Sequence, residues 1–571
     1  MMSWLVRFSI LYTLSTLQPV APQTEYPKGY FRSPLDTTLY LSANFGAIRG
    51  NHFHSGIDIR TYGQEGLPVR AVADGYVARI KVSPYGYGRA LYINHPNGYT
   101  SVYAHLQTFS DEINQYVEQE QYRQKSFDID AFPARNALKV SQSDLIALSG
   151  NSGGSTGAHL HFEIRHTKTE EIIDPLLFGF PVEDRLSPRF ANSFIIYEEN
   201  AAFKHKNGHY PYVEIKQNII SKKWGDTVKV TPGGYAFAAW ADDYMTPENS
   251  DVGINYLQLY ANGKQQFAME LQRFAFDESR MVNCHIDYND YRARGKKWHK
   301  CFVDNGNSLP FYQQTQKFIT VAQQQAVSVT IKTNDLAGYA DSITFILLGD
   351  STQAHFMEFH PNNKEANEFV YPAKNNIFKQ KGYSFSIPKW AVYDTILMTT
   401  KSTNHKRRDL YAPYISILKT DIPLQRSFTV NIDVTPDKNI ATDKLVVVRL
   451  SGKGLRYKSS EGGTYKNGVI TATSKSFGVY SVAYDDEAPT ITRFSNKGDK
   501  ISARIADNLS GISTYNAYIN GNWWLMEYDA KNDMLTGILP KDLPAGKHEV
   551  KIVVTDERKN TKTFTQTIDK P

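Results

Sequence analysis

The chain has 571 residues, of which 41% are hydrophobic and 21% charged, and its net charge is +6. That length exceeds what one hydrophobic core fills, so three or four domains are expected, and the composition excludes a chain that stays disordered. Acidic and basic residues are interspersed with no dense Lys/Arg stripe, so nothing points to a nucleic-acid partner.

In chain order, Arg7 precedes an apolar stretch over residues 8–17, followed by Gln18-Pro19-Val20-Ala21-Pro22. This predicts a signal peptide over residues 1–22; a membrane span would need about 20 apolar residues. No later segment is long enough to cross, so the protein is not read as a transmembrane one. Export to the periplasm or cell envelope, or secretion, is expected. Aromatic residues reach 13%, with 36 Tyr, which together with Val, Ile and Thr favours strands.

Residues 23–195 read as the first domain, made of short strands and turns. Residues 69–73 and 76–80 around Asp74-Gly75 predict a hairpin, and residues 89–94 and 99–105 around Pro96-Asn97-Gly98 predict a second. Residues 110–123 place Ile113, Tyr116, Val117 and Glu120 at helical spacing, which predicts a helix inserted near the functional residues. Beyond residue 200 the pattern is almost entirely strands, with another hairpin signal at Asn262-Gly263. Boundaries near Tyr371-Pro372 and at residues 485–489 divide this region into β-sandwich domains over 196–371, 372–485 and 486–571, the last of immunoglobulin-like size. The predicted fold class is mainly β: an antiparallel β-sheet domain with an inserted helix, then β-sandwich domains.

Only Cys284 and Cys301 are present. In an exported protein the pair reads as a disulfide. His285 and His299 flank them, which makes a Cys/His zinc site the alternative.

Metal-competent residues concentrate in three stretches of the first domain. In His54-Ser55-Gly56-Ile57-Asp58, His54 and Asp58 share a face of an extended chain. In a straight strand they would sit about 13 Å apart, and Gly56 lets the backbone bend to bring them together. In His159-Leu160-His161-Phe162-Glu163-Ile164, strict alternation turns Leu160, Phe162 and Ile164 to a core and His159, His161 and Glu163 the other way. The third stretch is Tyr103-Ala104-His105-Leu106. Two imidazoles and one carboxylate suit a catalytic zinc with an open position, and further histidines suit proton transfer and oxyanion stabilisation. His52, His95 and His166 lie close by and are left outside the set.

His-x-Gly-x-Asp, Tyr-x-His-Leu, a Gly-rich run over residues 149–157 and His-Leu-His-Phe-Glu, in this order, resemble the lysostaphin-type (LytM-like) zinc metallopeptidases, the murein endopeptidases. The resemblance covers roughly residues 40–180 and includes Gly86-Tyr87-Gly88. It implies one zinc per chain on His54, Asp58 and His161, with His105 and His159 as catalytic residues. It also implies hydrolysis of peptide cross-links of peptidoglycan. The family's usual Gly-Gln-x-Ile-Gly is replaced here by Ser143-Asp144-Leu145-Ile146-Ala147. Two other readings stand beside this one: a non-catalytic murein-binding or hydrolase-activating scaffold, and a secreted zinc peptidase acting on protein. The C-terminal β domains, which carry no transferable catalytic motif, are expected to meet envelope partners.

Overall fold

A computed structural model describes residues 25–216, 227–246, 252–358, 368–435, 440–452 and 454–570. The expected signal peptide lies outside the described residues, and among the described residues no helix is long and apolar enough to cross a membrane. The described chain is mainly antiparallel β, as expected; one parallel pairing of strands, Thr227–Val230 beside residues 346–349, interrupts the pattern.

The first domain is built on six strands: β1 (Leu41–Ala43), β2 (Ile57–Arg60), β3 (Gly75–Val82), β4 (Arg89–Asn94), β5 (Tyr99–Leu106) and β6 (His159–His166). They lie side by side in the order β1-β2-β6-β5-β4-β3. Alternation along β6 buries Leu160, Phe162 and Ile164 in the main core with Ile57 and Ile59 of β2. The register sets His161 opposite Asp58 on one side and Ala104 on the other.

The predicted β4–β5 hairpin forms, with Gly98 at φ +86° in its turn. The one at Asp74-Gly75 does not. Residues 68–70 pair instead with Leu145–Leu148 in a separate small sheet, and β3 pairs with β4. Gly75 lies so close to Asn94 that a Cβ would stand 2.4 Å from its carbonyl oxygen, so this glycine serves sheet packing. The predicted helix is α1 (Asp111–Gln124), which follows Ser110 and is buried through Ile113, Val117 and Gln121.

Three further units follow. Residues 189–350 hold a five-stranded and a six-stranded sheet, in which Asn262 (φ +48°) and Gly263 (φ +75°) form the predicted hairpin turn. Two five-stranded sheets occupy residues 376–484, and two four-stranded sheets make a terminal sandwich over residues 490–570. The first and second units share structure. Ile172–Ile173 pairs with Arg273–Phe274, and Phe45, Phe53 and Ile172 belong to the second unit's core, where Phe45 stacks on Phe274.

The expected disulfide is absent. Cys284 and Cys301 are separate buried thiols, and the Cys284 thiol donates to the Met281 carbonyl. Burial pushes both thiols well above their ordinary pKa, as suits inert core residues. The alternative Cys/His site does not assemble either. His285 and His299 hydrogen-bond to each other at 2.8 Å, and no metal-competent group among the described residues contains the cysteines.

Candidate metal centre

His54, Asp58 and His161 converge. His54 Nε2 lies 3.1 Å from His161 Nδ1 and 3.0 Å from Asp58 Oδ1, and the last two atoms are 2.9 Å apart. These three atoms form a nearly equilateral triangle on side chains that are all buried. A tetrahedral zinc with ligands at about 2.0–2.1 Å sets its donors about 3.3 Å apart, so the triangle fits that ion after small movements.

Their other polar atoms are already occupied. His54 Nδ1 donates to the Asn44 carbonyl at 2.8 Å, which leaves Nε2 with the lone pair. Asp58 Oδ2 takes a 2.8 Å ion pair from Arg49, which leaves Oδ1 for the triangle. His161 Nε2 donates to Glu163 Oε1 at 2.9 Å, a carboxylate–imidazole pair of the type that orients metal ligands. Glu163 is fully buried. Burial alone would raise its pKa, but Arg165 at 2.6 Å and His161 outweigh that and hold it well below the usual carboxylate range. The Tyr87 hydroxyl donates to the same carboxylate and pairs with Ser55 Oγ at 2.7 Å.

Gly56 acts by contact. A Cβ there would stand 2.3 Å from the Phe162 carbonyl oxygen, so only glycine lets this segment lie against β6. This is a different role from the bend expected of it.

His105 and His159 stand over the triangle with ring centroids 4.8 Å apart. His105 has φ +60°, a left-handed conformation that costs a non-glycine residue about 1 kcal/mol or more. Its backbone N–H donates to the Tyr87 carbonyl and its Nδ1 to the Ser152 carbonyl at 2.9 Å, so Nε2 is the free nitrogen. Burial pushes this imidazole down to about 3, with His161 and His159 adding to the shift, so it is neutral near pH 7. His159 Nδ1 bonds the Gly157 carbonyl at 2.8 Å, and its Nε2 lies 3.5 Å from Asp58 Oδ1. The five residues line one groove of about 760 Å³, walled by Thr61, Tyr62 and the Gly-rich run.

That run, residues 149–157, supplies the carbonyls that aim both histidines. It packs against Gly86-Tyr87-Gly88 at glycine-only distances: a Cβ on Gly153 would meet Gly88 N at 2.3 Å. The α1 helix, expected near the site, does not line the groove and instead sets Tyr122 against Trp523 of the terminal sandwich. His95 is buried on Asp74 and Ser101, and His166 bonds Thr169. His52 lines the groove but bonds Asn51. None of the three joins the triangle.

Residues 52–123 match the family model described as Peptidase family M23. The first domain thus carries a match to peptidase family M23. Residues 367–485 match a Zu5-like domain. Over 142 residues the chain is 31% identical to an uncharacterized metalloprotease of Haemophilus influenzae, covering 24% of this chain and 25% of that protein. It is 35% identical over 112 residues to the DD-carboxypeptidase/endopeptidase Mpg of Neisseria meningitidis serogroup B, covering 20% of each. It is 33% identical over 156 residues to the murein hydrolase activator NlpD of Salmonella dublin, covering 27% and 33%. The chain thus spans at most a third of the length of these curated relatives.

The M23 domain takes support from its neighbour that the sequence did not disclose. Asn44, whose carbonyl holds His54, has its side chain bonded both ways to Gly253 of the second unit, at 2.6 and 2.8 Å. Phe53 N donates to the Ser279 carbonyl at 3.0 Å. Glu163, Arg165, Tyr87 and Arg49 were also given no role. The one sequence signal was Glu163 on the histidine face of β6 with Arg165 two residues on, which is the spacing of same-face neighbours in a strand.

Proposed function

We propose that the protein is a zinc-dependent endopeptidase of the cell envelope that hydrolyses amide bonds in peptidoglycan cross-links, with one zinc on His54, Asp58 and His161. The triangle of donor atoms carries this reading. Two imidazoles and a carboxylate converge on one point while every competing polar atom of the three is engaged elsewhere. Zinc, when bound, supplies a Lewis acid that activates water and polarises the scissile carbonyl.

The chain's own groups do the rest. His105, neutral and with Nδ1 tied to Ser152, offers Nε2 as the base for the attacking water's proton. His159, held through Gly157, directs Nε2 to the same point and, with a proton on both ring nitrogens, donates to the oxyanion that develops on the carbonyl. The open groove admits an extended peptide beside the Gly-rich run. The murein and endopeptidase names of the relatives, together with the family resemblance, support the substrate class. Export through the N-terminal segment, and domain boundaries after residues 195, 371 and 485, belong to the same reading.

Digestion of purified murein by the full chain, with products read by mass spectrometry and zinc by elemental analysis, tests it. Stoichiometric zinc and cleaved cross-links are expected. His161→Ala is expected to lose both. A metal-free protein that cleaves nothing would sink the enzyme reading and favour the activator role named for the Salmonella relative.

A further inference from the structure

The loop that aims both catalytic histidines is also gripped from the far end of the chain. Lys531, at the tip of the terminal sandwich, directs Nζ to the carbonyls of Asn151 and, at 3.1 Å, Ser155. Between these two anchors lies Ser152, whose carbonyl holds His105 Nδ1. Just beyond is Gly157, whose carbonyl holds His159 Nδ1, and Ser155 Oγ lies 3.3 Å from the same nitrogen.

A second anchor converges on this loop. Glu527 of the same sandwich pairs with Arg89 at 2.5 Å, and the Arg89 backbone N–H donates to Ser152 Oγ at 3.0 Å. The loop carries Gly150, Gly153, Gly154 and Gly157, a backbone with wide conformational freedom, so its geometry depends on what holds it.

We propose that Lys531 is a positioning residue of the peptidase site: by bridging Asn151 and Ser155 it holds the loop in the one shape that aims His105 and His159 at the metal-bound substrate. This rests on the roles given above to the two histidines. The terminal sandwich is then a part of the catalytic unit, and an ammonium on a four-carbon stem bridging two carbonyls is the device that couples them.

The test compares Lys531→Ala and Lys531→Arg with the unaltered full chain, each checked for zinc content and thermal stability. Lys531→Ala should lower kcat about tenfold with KM within about twofold, because the histidines are misaimed while the groove stays open. Zinc content should match the unaltered chain. Lys531→Arg should restore most of kcat. Amide exchange should quicken over residues 150–158 in Lys531→Ala and stay unchanged in β5. Unchanged kcat together with unchanged exchange in the loop overturns the proposal, as does a loss of protection spread evenly over the domain. Should the unaltered protein neither bind zinc nor cleave murein, the endopeptidase reading fails. Loop exchange alone then decides whether Lys531 is the brace.

Discussion

At the scale of single residues, the five groove residues divide by what their second polar atom does. The three ligand candidates have that atom tied to Asn44, Arg49 and Glu163, whereas His105 and His159 have Nδ1 on loop carbonyls and Nε2 over the groove. His54→Ala, Asp58→Ala and His161→Ala should therefore each abolish zinc binding. His105→Ala and His159→Ala should keep the metal and lose about a hundredfold or more in turnover. Elemental analysis beside kinetics separates the two groups, and zinc loss in His105→Ala would move that residue into the ligand set. Residue types, the alternation of β6 and the family resemblance brought these five forward, and they line one groove. Arg49 and Asn44 were not legible, because their contacts depend on how the segment before β2 folds back.

At the scale of elements, the β2–β6 contact sets the site, and it tolerates no side chain at residue 56. Gly56→Ala would drive a methyl into the Phe162 carbonyl, which is backbone and cannot swing aside. A loss of about 2 kcal/mol and weaker zinc binding are expected, read by chemical denaturation and metal competition. Wild-type stability with wild-type zinc affinity would show that β2 can shift at no cost. Turn chemistry served well at Pro96-Asn97-Gly98 and Asn262-Gly263, where the flanking strands are each other's neighbours. It misled at Asp74-Gly75, where residues 68–70 find their partner more than 70 residues away. The helix was legible from its spacing, but its contact with the terminal sandwich through Tyr122 and Trp523 was not.

At the scale of the whole molecule, the first domain shares a core with the second unit. Phe45, Phe53 and Ile172 lie in a core completed by the second unit, and Asn44 is clamped by Gly253. A fragment of residues 25–190 was the natural unit to expect from sequence boundaries. It should instead bind hydrophobic dye, unfold at lower temperature and hold zinc weakly, since Asn44, whose carbonyl holds His54, loses its clamp on Gly253. A cooperatively folded fragment with full zinc affinity would refute this.

The same interface carries a pH dependence. Burial pushes the Asp243 carboxyl up to about 7, with Asp184 and Asp335 adding like charge. An acid whose folded pKa stands above the ordinary value of about 3.9 stabilises the fold fully below that value and loses the contribution as pH rises through about 7. Asp243→Asn keeps an acceptor for the Tyr244 N–H and removes the charge. It should stabilise the protein more at pH 8 than at pH 5, by about 1–2 kcal/mol, and parallel Tm curves for the two proteins would contradict that.

What the sequence determined by itself was chemistry carried on short stretches: the alternation of β6, the His-x-Gly-x-Asp run, and the strand-rich pattern behind the mainly β fold. Such signals survive because side-chain direction along a strand follows from local geometry alone. The tertiary structure decided which groups finish the site. Gly253 lies 209 residues from the Asn44 it clamps and Lys531 lies 376 residues from Ser155, and no local periodicity links residues so far apart. It decided the cysteines as well. Cys284 and Cys301 suit a disulfide by spacing, yet packing turns the Cys284 thiol to the Met281 carbonyl and leaves both sealed in the core.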